Sequence, residues 1–155
     1  MTGSPLVIGV GNPARGDDGV GPAVAELVGL DPRAAGAVVR SVTQLTPELA
    51  AAVAGASVVV IADARVGAGA GEVDWAPVGG SESGVSGPFS HHLTPAALCH
   101  LAGVAFGRVP PAFVVGVGAG GFDAGAPLSA PARAAVPRAL EVVVALMTGR
   151  VTGPA

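Results

Sequence analysis

Apolar positions along this chain fall into short unbroken runs, and the stretches between several of them repeat apolar residues every three or four positions. The first run, Leu6-Val-Ile-Gly-Val10, stops at Gly11-Asn12 and predicts a buried strand over residues 5–10. From Asp18 onward Val20, Ala23, Val24, Leu27 and Val28 share one helical face, predicting a first helix to about Leu30 that Asp31-Pro32 closes. A second strand follows over 37–42, then a short helix ending near Gly55. Thr46-Pro47-Glu48 opens that helix, with Thr46 expected as N-cap. Ser57-Val-Val-Val-Ile-Ala62 is the strongest strand signal, suited to the centre of a sheet, with Asp63 expected at its carboxyl end. Residues 67–87 are rich in Gly and Ser. They carry one weak strand near 72–78, expected as an edge excursion followed by a mobile loop. Thr94-Pro95 opens a third helix to about Ala105, residues 112–117 form a further strand, and a glycine-rich loop over 118–127 leads to a last helix over 129–148. Pro131 suits its first turn, Pro137 kinks it or marks its true start, and residues 149–155 read as a frayed tail.

Strands alternating with helices imply an α/β fold. Residues 1–155 are expected as a single domain, a mostly parallel twisted sheet of about five strands flanked by helices on both faces. If the strand order is flavodoxin-like, the first and third strands are neighbours and their carboxyl ends flank the ligand-binding crevice. Asp17, Asp18 and Asp63 then lie near one another, and the loop carrying His91 reaches the same edge.

Composition narrows the partners. Half of the residues are hydrophobic and 12% are charged, so a packed core of Val, Ala and Leu is expected. The net charge is −3, there is no lysine, and no basic run occurs, which argues against nucleic acid or an anionic membrane surface. A single cysteine, Cys99, is incompatible with a disulfide framework or a Cys-rich zinc site. No basic segment precedes an apolar core at the start, and the uncharged stretches 49–62 and 109–122 fall short of the ~20 residues of a spanning helix. A cytoplasmic protein is the expectation.

Each candidate residue has an ordinary explanation beside its chemical one. Asp17 or Asp18 can cap the first helix and favour its positive end. Two adjacent carboxylates also repel, and a bound cation is a natural way to tolerate both. Asp63 can accept from loop amides, and His91 from backbone, with His92 as its direct competitor. His100 falls inside the third helix, Cys99 reads as a packing residue, and a turn accounts for Asp123. Taken together, two carboxylates and one imidazole from separate loops would make an open O,O,N site for Ni, Zn, Cu or Fe, with positions left for water or substrate. The rival is Gly9-Val-Gly11-Asn-Pro-Ala14, which satisfies G-x-G-x-x-G/A after a strand. There Pro13 removes an amide and Asp17 and Asp18 would confront the pyrophosphate, although Arg40 could serve a 2′-phosphate. No G-x-S-x-G elbow supports a serine nucleophile.

These residues resemble the hydrogenase maturation proteases, endopeptidases that trim the large subunit of [NiFe]-hydrogenases. The resemblance spans nearly the whole chain: Gly9-Val-Gly-Asn12 with Asp17-Asp18-Gly-Val-Gly21, Gln44-Leu-Thr-Pro-Glu48, Val58-Val-Val-Ile-Ala-Asp63-Ala, Ser90-His91-His-Leu93, and the 116–129 loop. It implies an α/β fold with a twisted sheet between helices. It also implies metal contact by Asp18 (where many relatives carry Glu), Asp63 and His91, the last preferred over His92 by its spacing to the following helix. The implied activity is removal of a C-terminal extension from a nickel-loaded hydrogenase large-subunit precursor. The nickel would be presented by the substrate rather than held permanently, and Asp18 or Asp63 would serve as catalytic base in an aspartic-type or metal-assisted hydrolysis. The alternatives are a non-cleaving factor that binds nickel or the precursor, and an NAD(P)-binding oxidoreductase.

Overall fold

The computed structural model describes residues 3–79 and 93–150. His91, His92, the 80–87 part of the expected loop and residues 151–155 of the expected tail lie outside the described residues. Five strands, β1 (Leu6–Val10), β2 (Val38–Val42), β3 (Val59–Arg65), β4 (Val73–Pro77) and β5 (Ala112–Gly118), form one sheet in the order β2-β1-β3-β5-β4. β2, β1, β3 and β5 run parallel, and β4 lies antiparallel on β5 at the edge. Helices α1 (Val20–Leu30) and α4 (Ala130–Met147) cover one face, and α2 (Ala50–Gly55) and α3 (Pro95–Phe106) the other. The expected α/β architecture is the observed one. Among the described residues no helix is long and apolar enough to cross a membrane.

The two-residue period of the strands divides the apolar runs between the two faces. Val7, Val60, Ala62, Val115 and Val117 point into a core with Val24 and Val28 of α1 and Ala135 and Val143 of α4. Leu6, Ile8, Val59 and Ile61 point the other way, against Val53 of α2 and Leu98 and Ala102 of α3. The larger of these side chains each contribute about 1.5–3 kcal/mol on leaving water, which is why the central strands read as continuous apolar runs. Close helix–sheet packing near the site depends on missing side chains. A Cβ on Gly9 would run into the Gly21 carbonyl, and one on Gly21 would lie 2.5 Å from the Ala62 carbonyl oxygen and 2.8 Å from the Val10 nitrogen.

Helix starts are explained by local chemistry. Thr94 Oγ1 accepts from the Ala97 N–H at 3.1 Å, and Ser129 Oγ from the Ala132 N–H at 3.3 Å, each with proline at the start of the helix that follows. Three expectations need correction. Thr46 makes no side-chain cap bond, and Pro47 instead opens a 3-10 turn (Pro47–Leu49) that hands over to α2. Pro137 does not mark the start of the last helix, since α4 begins at Ala130 and runs through it. Asp63 does not end its strand. β3 runs on to Arg65 because β5 continues to pair with it, Asp63 opposite Gly116 and Arg65 opposite Gly118.

After α1 the chain turns through a 3-10 segment (Pro32–Ala34) whose Arg33 bridges Asp31 at 2.7 Å and Glu141 of α4 at 2.8 Å. The Arg33 guanidinium holds Asp31 down at about 2 and Glu141 below its ordinary value. Both acids are depressed in the folded state, so their contribution is complete above pH ~5 and is lost as pH falls toward 2. The triad lies at the surface, where salt screens it. Arg33→Ala should therefore cause a small drop in urea midpoint at pH 7 and low salt, a drop that shrinks in 1 M NaCl and disappears near pH 2. A deficit that persists in high salt would show that Arg33 acts through packing instead.

The connections define the crevice. The chain leaves β1 through α1 on one face to reach β2, then returns through α2 on the opposite face to β3, on the far side of β1. Successive connections depart in opposite directions between β1 and β3, the switch point at which open α/β sheets bind ligands at their carboxyl edge.

Candidate active site

Both acids of the loop pair are buried, Asp17 to 1% exposure and Asp18 to 9%, and they do different things. They sit in a 3-10 turn (Gly16–Gly19) between β1 and α1, and neither caps the helix: the residue before α1 is Gly19, and no side-chain cap bond forms there. This overturns the capping explanation for both.

Asp17 turns away from α1 toward the loop that follows β5. Its Oδ2 accepts from the Gly120 N–H at 2.6 Å and the Ser129 hydroxyl at 2.7 Å, and its Oδ1 from the Ser129 N–H at 2.7 Å. Burial works to raise the Asp17 carboxyl, and the hydrogen bonds from Ser129, Gly120 and Gly121 outweigh it, holding the group below its ordinary value. The backbone joins the same two loops. Gly16 N–H donates to the Ala126 carbonyl at 3.0 Å, Asp17 N–H to Gly121 at 2.9 Å, and Gly125 N–H to Ala14 at 2.6 Å.

Asp18 turns the other way, under the end of β1. Its Oδ2 accepts from the Asn12 N–H at 2.8 Å, and its Oδ1 takes no hydrogen bond among the described residues. The Asp18 carboxylate thus keeps one oxygen that no protein donor engages among the described residues. The same geometry engages the loop amides that a dinucleotide phosphate would need, Asn12 N–H by Asp18 and Ala14 N–H by Asn12 Oδ1 at 2.9 Å.

Asp63 lies one residue past the last β1–β3 register pair, Gly9 with Ala62, and so stands level with Val10, where β1 stops pairing with β3 and pairs only with β2. Its Oδ1 accepts from the Ala64 N–H at 2.8 Å. The turn carrying Asp18 packs against β3. Asp18 and Asp63, the acids expected as metal contacts and catalytic groups, therefore share the carboxyl edge at the switch point. His91, the expected third contact, and His92 lie outside the described residues. Among the described residues no group of three His, Cys, Asp or Glu side chains gathers around one point.

The other candidates have ordinary roles. His100 is on the exposed side of α3, and Cys99 beside it is buried against the α2–α3 core. Asp123 opens the turn 123–126, closed by the Ala126 N–H to the Asp123 carbonyl at 3.1 Å with Gly125 at φ 79°. Sequence reasoning missed two features. One is the clasp by Asp17, for which the signal was a pair of acids facing a helix start that can use only one. The other is the ion pair of Arg65 with Asp74, which passes over Gly116 beside Asp63 on the α2–α3 face of the sheet. It joins strands that follow one another in sequence but are held apart in the sheet by β5, and no spacing rule reveals it.

No family model matches the chain, and no curated protein matches it. Solved structures do. The chain is similar to the hydrogenase maturating endopeptidase HybD from E. coli, with a TM-score of 0.72 and 21% identity over 94% of this chain and 93% of that one. It is similar to the [NiFe] hydrogenase maturation protease HycI from Thermococcus kodakarensis KOD1, with a TM-score of 0.69 and 20% identity over 94% and 92%. An endopeptidase from Escherichia coli solved in solution gives a TM-score of 0.71 and 22% identity over 97% and 96%. Over nearly its whole length, the chain has the fold of proteins named hydrogenase maturation endopeptidases.

Proposed function

We propose that this chain is a cytoplasmic hydrogenase maturation endopeptidase that removes the C-terminal extension of a nickel-loaded [NiFe]-hydrogenase large-subunit precursor. The observation that carries the proposal is the buried Asp18 carboxylate, oriented by one amide and open at Oδ1, at the same carboxyl edge as Asp63. In this reading Asp18, Asp63 and His91 contact nickel already seated in the precursor, so the ion is part of the substrate. Two oxygens and one imidazole suit a divalent ion of this kind and leave its remaining positions to the precursor's own ligands. Recognition of the ion would hold the tail in place. A carboxylate oxygen of Asp18 or Asp63 that is not on the nickel takes a proton from water as that water attacks the scissile carbonyl. The proton then passes to the departing amide nitrogen, so the peptide bond is replaced by a carboxyl and an amine.

A non-cleaving factor that escorts nickel or the precursor would use the same contacts. Incubating nickel-loaded precursor with the purified protein separates the two, because only the endopeptidase shortens the large subunit by the mass of its tail. An intact precursor after stable complex formation would assign the escort role. The histidine choice has its own test. His91→Ala should lower the processing rate by about 10²-fold or more, and His92→Ala should leave it within about threefold. The reverse pattern would move the imidazole contact to His92.

A further inference from the structure

We infer that Asp17, which does not face the switch-point crevice, is a positioning residue that sets the direction of the Asp18 carboxylate by tying the 3-10 turn to the loop between β5 and α4. This rests on the processing role proposed for Asp18 and extends it to a residue that touches neither metal nor substrate. Three short bonds converge on the Asp17 carboxylate, from Gly120 N–H at 2.6 Å and from the N–H and hydroxyl of Ser129, each at 2.7 Å. Bonds to an ionised acceptor are stronger and more directional than neutral ones. Their donors are well anchored. Ser129 starts the long helix α4, whose Ala132, Ala135 and Val143 are buried in the core shared with α1. Asp17 is thus attached to α4, and Asp18, the next residue in the turn, takes its place between that attachment and the Asn12 amide. The backbone bonds of Gly16, Asp17 and Gly125 align the same two loops, and the bidentate Asp17 carboxylate adds charge-assisted bonds to that alignment.

An Asp17→Asn amide keeps the shape of the carboxylate, but it turns an N–H group toward one of the donors and lacks the charge. The turn should then rotate, and Asp18 with it. The Asn12 amide reports this directly, because its hydrogen bond ends on Asp18 Oδ2. The test combines 15N–1H spectra and amide exchange of Asp17→Asn, and of the milder Ser129→Ala, with steady-state processing of nickel-loaded precursor. In Asp17→Asn the Asn12 resonance should shift and its exchange accelerate about tenfold, while the amides of β1 and β3 keep their protection. kcat should fall roughly 10- to 100-fold, with KM within about threefold. Ser129→Ala should show the same changes to a smaller extent, and it decides the matter if Asp17→Asn does not fold. An unmoved Asn12 amide in the folded variants overturns the inference, as does a moved amide with unchanged kcat. If the wild-type protein processes nothing, a moved amide still upholds the positioning role, and the processing proposal falls alone.

Discussion

Asp18→Asn and Asp63→Asn should each lower processing of the nickel-loaded precursor by about 10²–10⁴-fold, the range associated with losing a positioned general base, while both variants remain folded. The amide is nearly isosteric with the carboxylate. At position 18 it can still present an oxygen to the Asn12 N–H, and at position 63 to the Ala64 N–H, so these two bonds survive. What is lost is the negative charge and the ability to take a proton. Those are the properties the proposed chemistry uses, and the core packing uses neither of them. Precursor cleavage followed by intact mass, with circular dichroism as the control for folding, checks this. Full processing by either variant would remove that residue from the site. Cys99 lies in the core on the α2–α3 side, and no role in the chemistry is assigned to it.

Gly21→Ala should destabilise the protein by about 3 kcal/mol, the upper part of the usual range for overpacking. The added methyl would meet the carbonyls of Val10 and Ala62 and the nitrogen of Val10, all of them backbone atoms of paired strands of the sheet. A flexible side chain could turn aside, but these atoms cannot move without displacing the strands. Relief therefore has to come from α1 lifting off the sheet, which would carry the Gly16–Gly19 turn and Asp18 with it. A fall in urea midpoint accompanied by reduced processing at temperatures where the variant is still folded is the expected pair of results. A loss below about 0.5 kcal/mol would mean that α1 is not seated on this contact.

Much of the fold was legible because burial on both faces writes a strand as an unbroken apolar run, as in Leu6–Val10. The register was not. Asp63-Ala-Arg65 ends an apolar run, and only the neighbouring β5 shows that the ladder continues through it. The third helix was legible from Thr94-Pro95, where the cap bond forms, whereas the same Thr-Pro pair at 46–47 yields a 3-10 turn without one. Local sequence marks where a helix can start, and the tertiary surroundings decide whether the side chain is used.

The site divides in a similar way. That Asp18 and Asp63 approach the same edge followed from strand direction and a parallel sheet, both of which periodicity reveals. The distinct role of Asp17 did not, since its partners Gly120 and Ser129 lie more than a hundred positions away. Two adjacent acids look equivalent in sequence. In the structure one is saturated by three donors and the other holds a single amide, and the proposed contact with nickel rests on this difference.

The claim on which the account depends is that this carboxylate edge reads nickel on the precursor. The most direct test presents the wild-type protein with the same large-subunit precursor, nickel-loaded in one reaction and nickel-free in the other, and weighs the products. The loaded form should lose its C-terminal tail and the nickel-free form should stay intact. Equal cleavage of both, or of neither, would contradict it.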